Sequence, residues 1–503
     1  MSDLPANSPR MMRLLNCEAV LRHALDADQI TAGEIMEITG LTRATVLGVF
    51  SDLVEQGWLR ERSEPGPVPT VRGGRPAKLY RVPSAAGLLV GLDAGEHRMR
   101  AAVTDLRGER RVVRQVVLDA RIVTGGSGVA GAGGSGSGDS GAAGSDAERW
   151  EANWDPQEVA RQRRAVAATL VAELLDEIGA RPEDVLLSVV GVPAPVDVNG
   201  HSPTGDKGFW AAMNPGFTDV LPGRVVVEND ANLAAIAEYS WILKEDDDGV
   251  SATDDGGSDS DGGSGRGGDV GGHEGVGDHE DVNGHEEESG RESVSGNVAT
   301  LLSGERLGAG LIVDGRLLRG ARGGAGELRA LDLIGDAGSS YGFGALARQW
   351  AQEMVAGRDS AAGRGVSGDL ELDQDGTPRE HNGPFFPLPE DGRIGAEWVF
   401  EAATHGDPRA QEIIERLGQR LATVALVVGT LLDVSKVVIA GALADAAEPV
   451  IQAAREQVIG KHYPPVPEIV ASRLGGDVVV HGAIEQARNL LRANPLSFTP
   501  AGG

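Results

Sequence analysis

Cysteine is nearly absent: Cys17 is the only one in 503 residues. A lone thiol cannot close an intramolecular disulfide or build a cysteine-rich zinc site, and it fits a reducing compartment. Aromatic residues are scarce too, at 4%. No apolar run reaches the roughly 18 residues of a membrane span, and the N-terminus lacks a secretory signal's basic start and apolar core. A cytoplasmic protein with no membrane partner is therefore expected. Positive charge is also short, with 46 Lys+Arg against 75 Asp+Glu and a net −29. Taken alone, that number argues against nucleic acid, because one polyanion repels another.

The location of the charge changes this reading. Residues 245–292 hold 17 Asp/Glu, two Arg and 14 Gly, a local net of −15 that leaves −14 for the rest of the chain. Residues 1–82 carry ten basic and ten acidic side chains. Within them, Arg60, Arg62, Arg72, Arg75, Lys78 and Arg81 face only Glu61 and Glu64, giving 58–82 a net of +4.

Residues 124–147, 245–296 and about 356–392 are low in large apolar side chains and rich in Gly, Ser or Asp. Such segments bury too little to offset the entropy of ordering, so they read as disordered insertions. His273, His279 and His285 lie in the second of these and read as solvated residues rather than metal ligands. No metal site is expected.

The N-terminal stretch has the punctuation of a DNA-binding unit. Leu14, Leu15, Ala19, Val20, Leu21 and Ala24 suggest an amphipathic helix. Thr31 with Glu34 forms a capping-box pattern for a second helix, which carries Ile35 and Ile38 inward and ends at Gly40. Thr42 starts a third helix that closes at Gly57. A short helix, a glycine turn and a longer helix make a helix-turn-helix. WLRER and AKLYRV then read as the strands of a β wing. Thr42, Arg43, Thr45 and Leu47 stand near the start of the recognition helix, where hydroxyls and a guanidinium suit phosphates and base edges. Arg72, Arg75 and Lys78 belong to the wing, and Gly73-Gly74-Arg75-Pro76 would carry Arg75 into a minor groove. A helical dimerisation module with a solvated basic hairpin is the alternative.

Downstream, 86–107, 185–197, 225–230, 298–318 and 435–443 read as strands closed by Gly, Asp or Asn turns, with helices between and after them. That alternation indicates an α/β fold with its ligand cleft at strand ends. Asn229 and Asp230 end one such strand, where they either cap the following helix or face a ligand.

VVVENDANLAAIAE, ERLGAGLIVDGRLLRGARGGAGEL and KVVIAGAL, behind a winged helix with GGRP in its wing, resemble the ROK family. That family comprises bacterial sugar kinases and sugar-responsive transcriptional repressors. The resemblance covers about 1–120, 150–243, 297–345 and 395–492. It implies a winged helix-turn-helix over 1–82 and a two-lobed actin-like ATPase domain over 86–495, interrupted by the insertions. It also implies that Asn214, Asn229, Asp230 and Glu327 contact a sugar, and that Asp230 is the catalytic base if the chain is a kinase.

The chain departs from the family's kinases at both phosphate turns. Their Asp-x-Gly-Gly-Thr is Asp93-Ala94-Gly95-Glu96-His97 here, and their Gly-Thr-Gly-x-Gly is Gly304-Glu305-Arg306-Leu307-Gly308. Two added carboxylates in a cleft of low dielectric are expected to repel a triphosphate, so no nucleotide cofactor and no catalytic residue are expected. Glu327 is followed by Leu328-Arg329-Ala330 rather than the family's Gly-His, and the zinc-binding cysteines are missing. The combined reading is a homo-oligomeric transcriptional regulator, a dimer or tetramer. It would bind double-stranded operator DNA and a sugar-like effector; the alternative is an ATP-dependent sugar kinase.

Overall fold

A computed structural model of the chain describes residues 8–62, 77–119, 154–253, 296–328, 341–362, 394–458 and 466–501. The N-terminal unit begins with α1 (Pro9–Asp26), capped by the Ser8 hydroxyl. After β1 (Ile30–Thr31), the capping box forms as the sequence predicts: Glu34 N–H donates to Thr31 Oγ1 at 3.2 Å, and Thr31 N–H to Glu34 Oε2 at 2.7 Å. It starts α2 (Ala32–Thr39), which ends at Gly40 in the left-handed conformation. Thr42 then caps α3 (Arg43–Glu55). Strands β2 (Arg60–Glu61) and β3 (Leu79–Arg81) complete a three-stranded sheet in the order β1-β3-β2.

Two sequence expectations fail in this unit. Ile38 is 59% exposed although it lies one turn from the buried Ile35, so α2 buries only Ile35. Leu14 and Leu15 are also exposed; α1 buries Cys17, Val20, Leu21, Ala24 and Leu25 instead.

The larger body is two sheets of identical plan. The first contains β4 (Leu88–Ala94), β5 (Arg98–Asp105), β6 (Arg110–Val117), β7 (Val185–Val192) and β8 (Arg224–Asn229), in the order β6-β5-β4-β7-β8. The second contains β9 (Val298–Ser303), β10 (Leu307–Val313), β11 (Arg316–Leu317), β12 (Lys436–Ala440) and β13 (Glu468–Ala471), in the order β11-β10-β9-β12-β13. In each, the first three strands pair antiparallel and the last two add in parallel. Continuous apolar runs such as VLLSVVGV form strands buried along their length, as expected for sheets covered on both faces.

On the outer side of the first sheet lies α4 (Pro156–Glu177), started by Asp155 accepting from the Gln157 and Glu158 amides. A short helix, α5 (Phe209–Met213), packs on it. Helices α7 (Phe343–Ala362), α8 (Ala396–Thr404), α9 (Pro408–Leu432) and α10 (Glu448–Val458) share a core with Ala299, Leu301, Val437 and Ile439 of the second sheet. Along α9, Ile413, Leu417, Leu421, Val424 and Val428 recur at helical spacing and are buried, giving it one apolar face.

Two long helices fill the space between the sheets. α6 (Asp230–Thr253) packs on β9 and β10, α11 (Val478–Ala493) packs on β4 and β7, and the two helices pack on each other. Their approach requires glycine: a Cβ at Gly482 would stand 1.8 Å from the Leu233 carbonyl oxygen, and one at Gly310 would stand 2.1 Å from that of Ala231. The C-terminal end of α11 meets α1. Arg22 Nε donates to the Arg492 carbonyl at 3.0 Å, Arg492 pairs with Asp26, and Arg107 of the first lobe pairs with Asp28. Buried residues from Cys17 through Leu491 make one continuous core.

The disordered-insertion reading is too wide in two places. α6 continues through residues 245–253 and α7 through 356–362, since each extends a helix already anchored at its N-terminal end. Residues 124–147 lie outside the described residues, as do His273, His279 and His285. No described helix is long and apolar enough to cross a membrane.

Candidate functional site

The candidate site lies at the ends of β4 and β8, where Arg306 from the β9–β10 turn of the second sheet reaches Glu96. β8 delivers Glu228, Asn229 and, at the first turn of α6, Asp230. Asn229 caps the helix: its Oδ1 accepts from the Asn232 backbone at 3.1 Å, and its Nδ2 donates to the Ala194 carbonyl at 3.1 Å. Asp230 has a different environment. Its Oδ1 accepts from the Ala231 amide at 2.8 Å, and burial, with Asp93 and Glu327 adding negative charge, holds its carboxyl well above the usual range. Of the two side chains, it is Asn229 that makes the capping bond to the first turn of α6.

Asp93 ends β4 and is 7% exposed. Burial pushes its carboxyl up to about 6, opposed by Arg98, Arg163 and Arg100. Glu327 is likewise raised by burial, with Arg306 pulling it back. Asp93 and Glu327 thus both act on Asp230. Asn214 closes the end of α5; its Nδ2 donates to the Gly200 carbonyl and Ser202 Oγ, both at 3.0 Å. Those bonds use both N–H donors of its amide. Among the described residues, no group of three or more His, Cys, Asp or Glu side chains is arranged to hold a metal ion.

The two unusual carboxylates behave differently from the sequence expectation. Glu305 is held by Arg348 at 2.8 Å, and its carbonyl accepts from the Gly342 amide at 2.9 Å. Glu96 pairs at 3.8 Å with Arg306, the residue next to Glu305. Neither is a bare negative charge, so simple repulsion of a triphosphate is not what this geometry provides. Instead, Arg306 ties the second-lobe turn to the first lobe, with its guanidinium 4.4 Å from the centre of the Phe209 ring.

Several residues here were not apparent from sequence. Arg163 on α4 is 1% exposed; it donates to the Gly95 carbonyl at 2.9 Å and to that of Ala94, fixing the turn after Asp93. Its position between Val159 and Ala167 on the buried face was the available signal. Glu228 is clamped by Arg319 at 2.7 Å and accepts from Asn232 Nδ2 at 2.9 Å.

On the N-terminal unit, Thr42 and Arg43 are exposed at the start of α3 and Thr45 is half-buried. Thr42 Oγ1 accepts from the Thr45 amide at 3.4 Å and lies 2.9 Å from the Thr45 hydroxyl, so both hydroxyls are oriented from within the helix. Leu47 is exposed on the same helix. Lys78 pairs with Glu61 at 2.9 Å across the wing strands. Arg72, Arg75 and Ala330 lie outside the described residues.

Residues 361–489 match the model of the ROK family. The chain is similar in structure to a ROK family transcriptional regulator that is a homolog of the E. coli MLC protein, with a TM-score of 0.56 and 16% identity; the match covers 96% of this chain and 98% of that one. At that identity the likeness is one of fold. Other matches are a ROK family glucokinase from Streptomyces griseus in complex with glucose and AMPPNP, and a ROK family protein from Streptococcus pneumoniae TIGR4 in complex with sucrose. The first has 22% identity and a TM-score of 0.46 over 80% of this chain and 100% of that one. The second has 16% and 0.45 over 81% and 99%. No curated protein sequence matches the chain.

Proposed function

We propose that the chain, which matches the ROK family model over residues 361–489 and is similar in fold to a ROK family regulator, is a DNA-binding transcriptional regulator, a repressor, whose cleft senses a sugar or a related small molecule. The observation that carries this reading is the N-terminal unit. Three helices and a β wing leave Thr42 and Arg43 exposed at the start of α3, beside a wing whose sequence is net positive. Arg43, with Thr42 and Thr45, would meet phosphates and base edges, while Arg72, Arg75 and Lys78 would follow the backbone and minor groove. A homodimer or homotetramer would set two such units on a two-fold-related operator.

Asn214, Asp230 and Glu327 would hold the effector's hydroxyls, with Asn229 shaping the turn beneath them. Binding there would favour one arrangement of the lobes and so alter the placement of the recognition helices. The test is a genome-wide DNA-binding map followed by footprinting. Discrete protected sites, weakened by Arg75→Ala at several salt concentrations, support the reading; absence of any specific footprint overturns it.

The kinase alternative draws on the retained Asp93 and Asp230. It is separated by incubating the protein with ATP, Mg²⁺ and a panel of hexoses. The regulator reading expects no sustained ADP release, and turnover lost in Asp230→Asn would reverse the assignment.

A further inference from the structure

We propose that Arg306 determines specificity in this cleft and that the effector is an anionic sugar, one carrying a phosphate ester or a carboxylate. The inference rests on the sensor reading above and names its ligand class. Arg306 sits in the turn between β9 and β10 of the second lobe, but its contacts are with the first: the Phe209 ring at 4.4 Å and Glu96 at 3.8 Å. Phe209 opens the short helix that ends at Asn214, and Arg306 is the cation that acts on Glu327. It is therefore linked to two of the residues assigned to the sugar, through the Phe209 helix to Asn214 and by its charge to Glu327.

Three of the other arginines around the cleft are committed elsewhere. Arg163 is bound to backbone carbonyls, Arg319 to Glu228 and Arg348 to Glu305. Arg306 is 40% exposed, and its contact with Glu96 is long beside the ~2.7–2.9 Å of a tight charge-assisted hydrogen bond. A guanidinium lying on an aromatic face keeps its N–H edge available for a bidentate contact. A neutral sugar gains little by separating Arg306 from Glu96. A phosphate or carboxylate replaces that long pair with a forked, charge-assisted one. The surrounding carboxyls do not cancel the cation as their number implies, because burial favours the protonated forms of Asp230 and Glu327.

The experiment is calorimetric titration of the full-length protein with parent hexoses, their 1- and 6-phosphates, glucuronate and inorganic phosphate, repeated with Arg306→Gln and Glu96→Gln. The expected result is that one anionic sugar binds at least tenfold tighter than its parent. Arg306→Gln reduces that advantage to less than about twofold. Glu96→Gln, which removes the competing carboxylate, raises affinity for the anionic sugar several-fold. Whether the preferred anion is a phosphate or a uronate identifies its source. Equal binding of parent and anionic sugars, an advantage that survives Arg306→Gln, or inorganic phosphate binding as tightly as a sugar phosphate overturns the inference but leaves the sugar-sensor reading standing. Binding of no sugar in the panel overturns both.

Discussion

Asn229 and Asp230 are adjacent in the chain and divide two tasks between them. The Asn229 carboxamide is engaged at both ends, by the Asn232 amide and the Ala194 carbonyl, whereas the Asp230 carboxyl, raised by desolvation and by two other acids, accepts from the Ala231 amide. The two residues should therefore fail differently. Asn229→Ala should lower stability by about 1 kcal/mol, the usual cost of losing a helix cap, read as a shifted denaturation midpoint. Asp230→Asn should keep the fold and DNA binding while abolishing the response to sugar. A sugar response that survives Asp230→Asn contradicts the pocket assignment.

Asp93 gives a pH prediction with a definite sign. Its folded carboxyl lies near 6, above the ordinary 3.8. A raised carboxyl favours the folded state below pH 4, and that advantage is lost as pH rises through 6. By neutral pH the ionised group costs up to about 3 kcal/mol relative to an unperturbed one. Asp93→Asn should therefore stabilise the protein more at pH 7.5 than at pH 4.5 in urea unfolding. Equal effects at both pH values would remove burial as the cause.

Gly482 sets how closely α11 can lie on α6. A methyl group there would meet the Leu233 carbonyl oxygen at 1.8 Å, a backbone atom that cannot rotate away. Gly482→Ala should cost 3 kcal/mol or more, at or beyond the upper end of the roughly 1–3 kcal/mol typical of overpacking. Thermal unfolding measures this, and a melting point within two degrees of wild type would show that the helices can separate freely.

The N-terminal unit was legible because its signals are local. Thr31, Glu34, Gly40 and Thr42 are caps within 12 residues of one another, and each acts on its own helix end. The strands carrying Asp93 and Asp230 were legible as apolar runs closed by turns. The site's arginines were not. Arg163 finds Gly95 across 68 residues, Arg319 finds Glu228 across 91, and Arg348 finds Glu305 across 43. Charge counting saw Glu96 and Glu305 without the cations folded against them. The continuation of α6 past residue 245 was hidden for another reason: composition registers the acidic tract but not the helix that runs into it.

Arg492 pairs with Asp26, and its carbonyl accepts from Arg22, so α11 ties the first lobe to the N-terminal unit. At its other end, Asp477 pairs with Arg100, next to the Asp93 strand end. Breaking the α1 end by Asp26→Ala should leave sugar affinity unchanged while reducing the sugar's effect on DNA affinity at least fivefold. A full response in that variant would mean that coupling takes another route.

On the reading proposed above, one chain joins a DNA-reading unit to a sugar-reading cleft. Fluorescence anisotropy of a labelled DNA fragment containing a mapped site tests it most directly, with the purified protein titrated with and without the sugar that binds it. The account predicts salt-sensitive specific binding that Arg43→Ala weakens at least tenfold, and that the sugar releases in wild type but not in Asp230→Asn. Equal affinity for specific and scrambled DNA, unaffected by sugar in either protein, would contradict it.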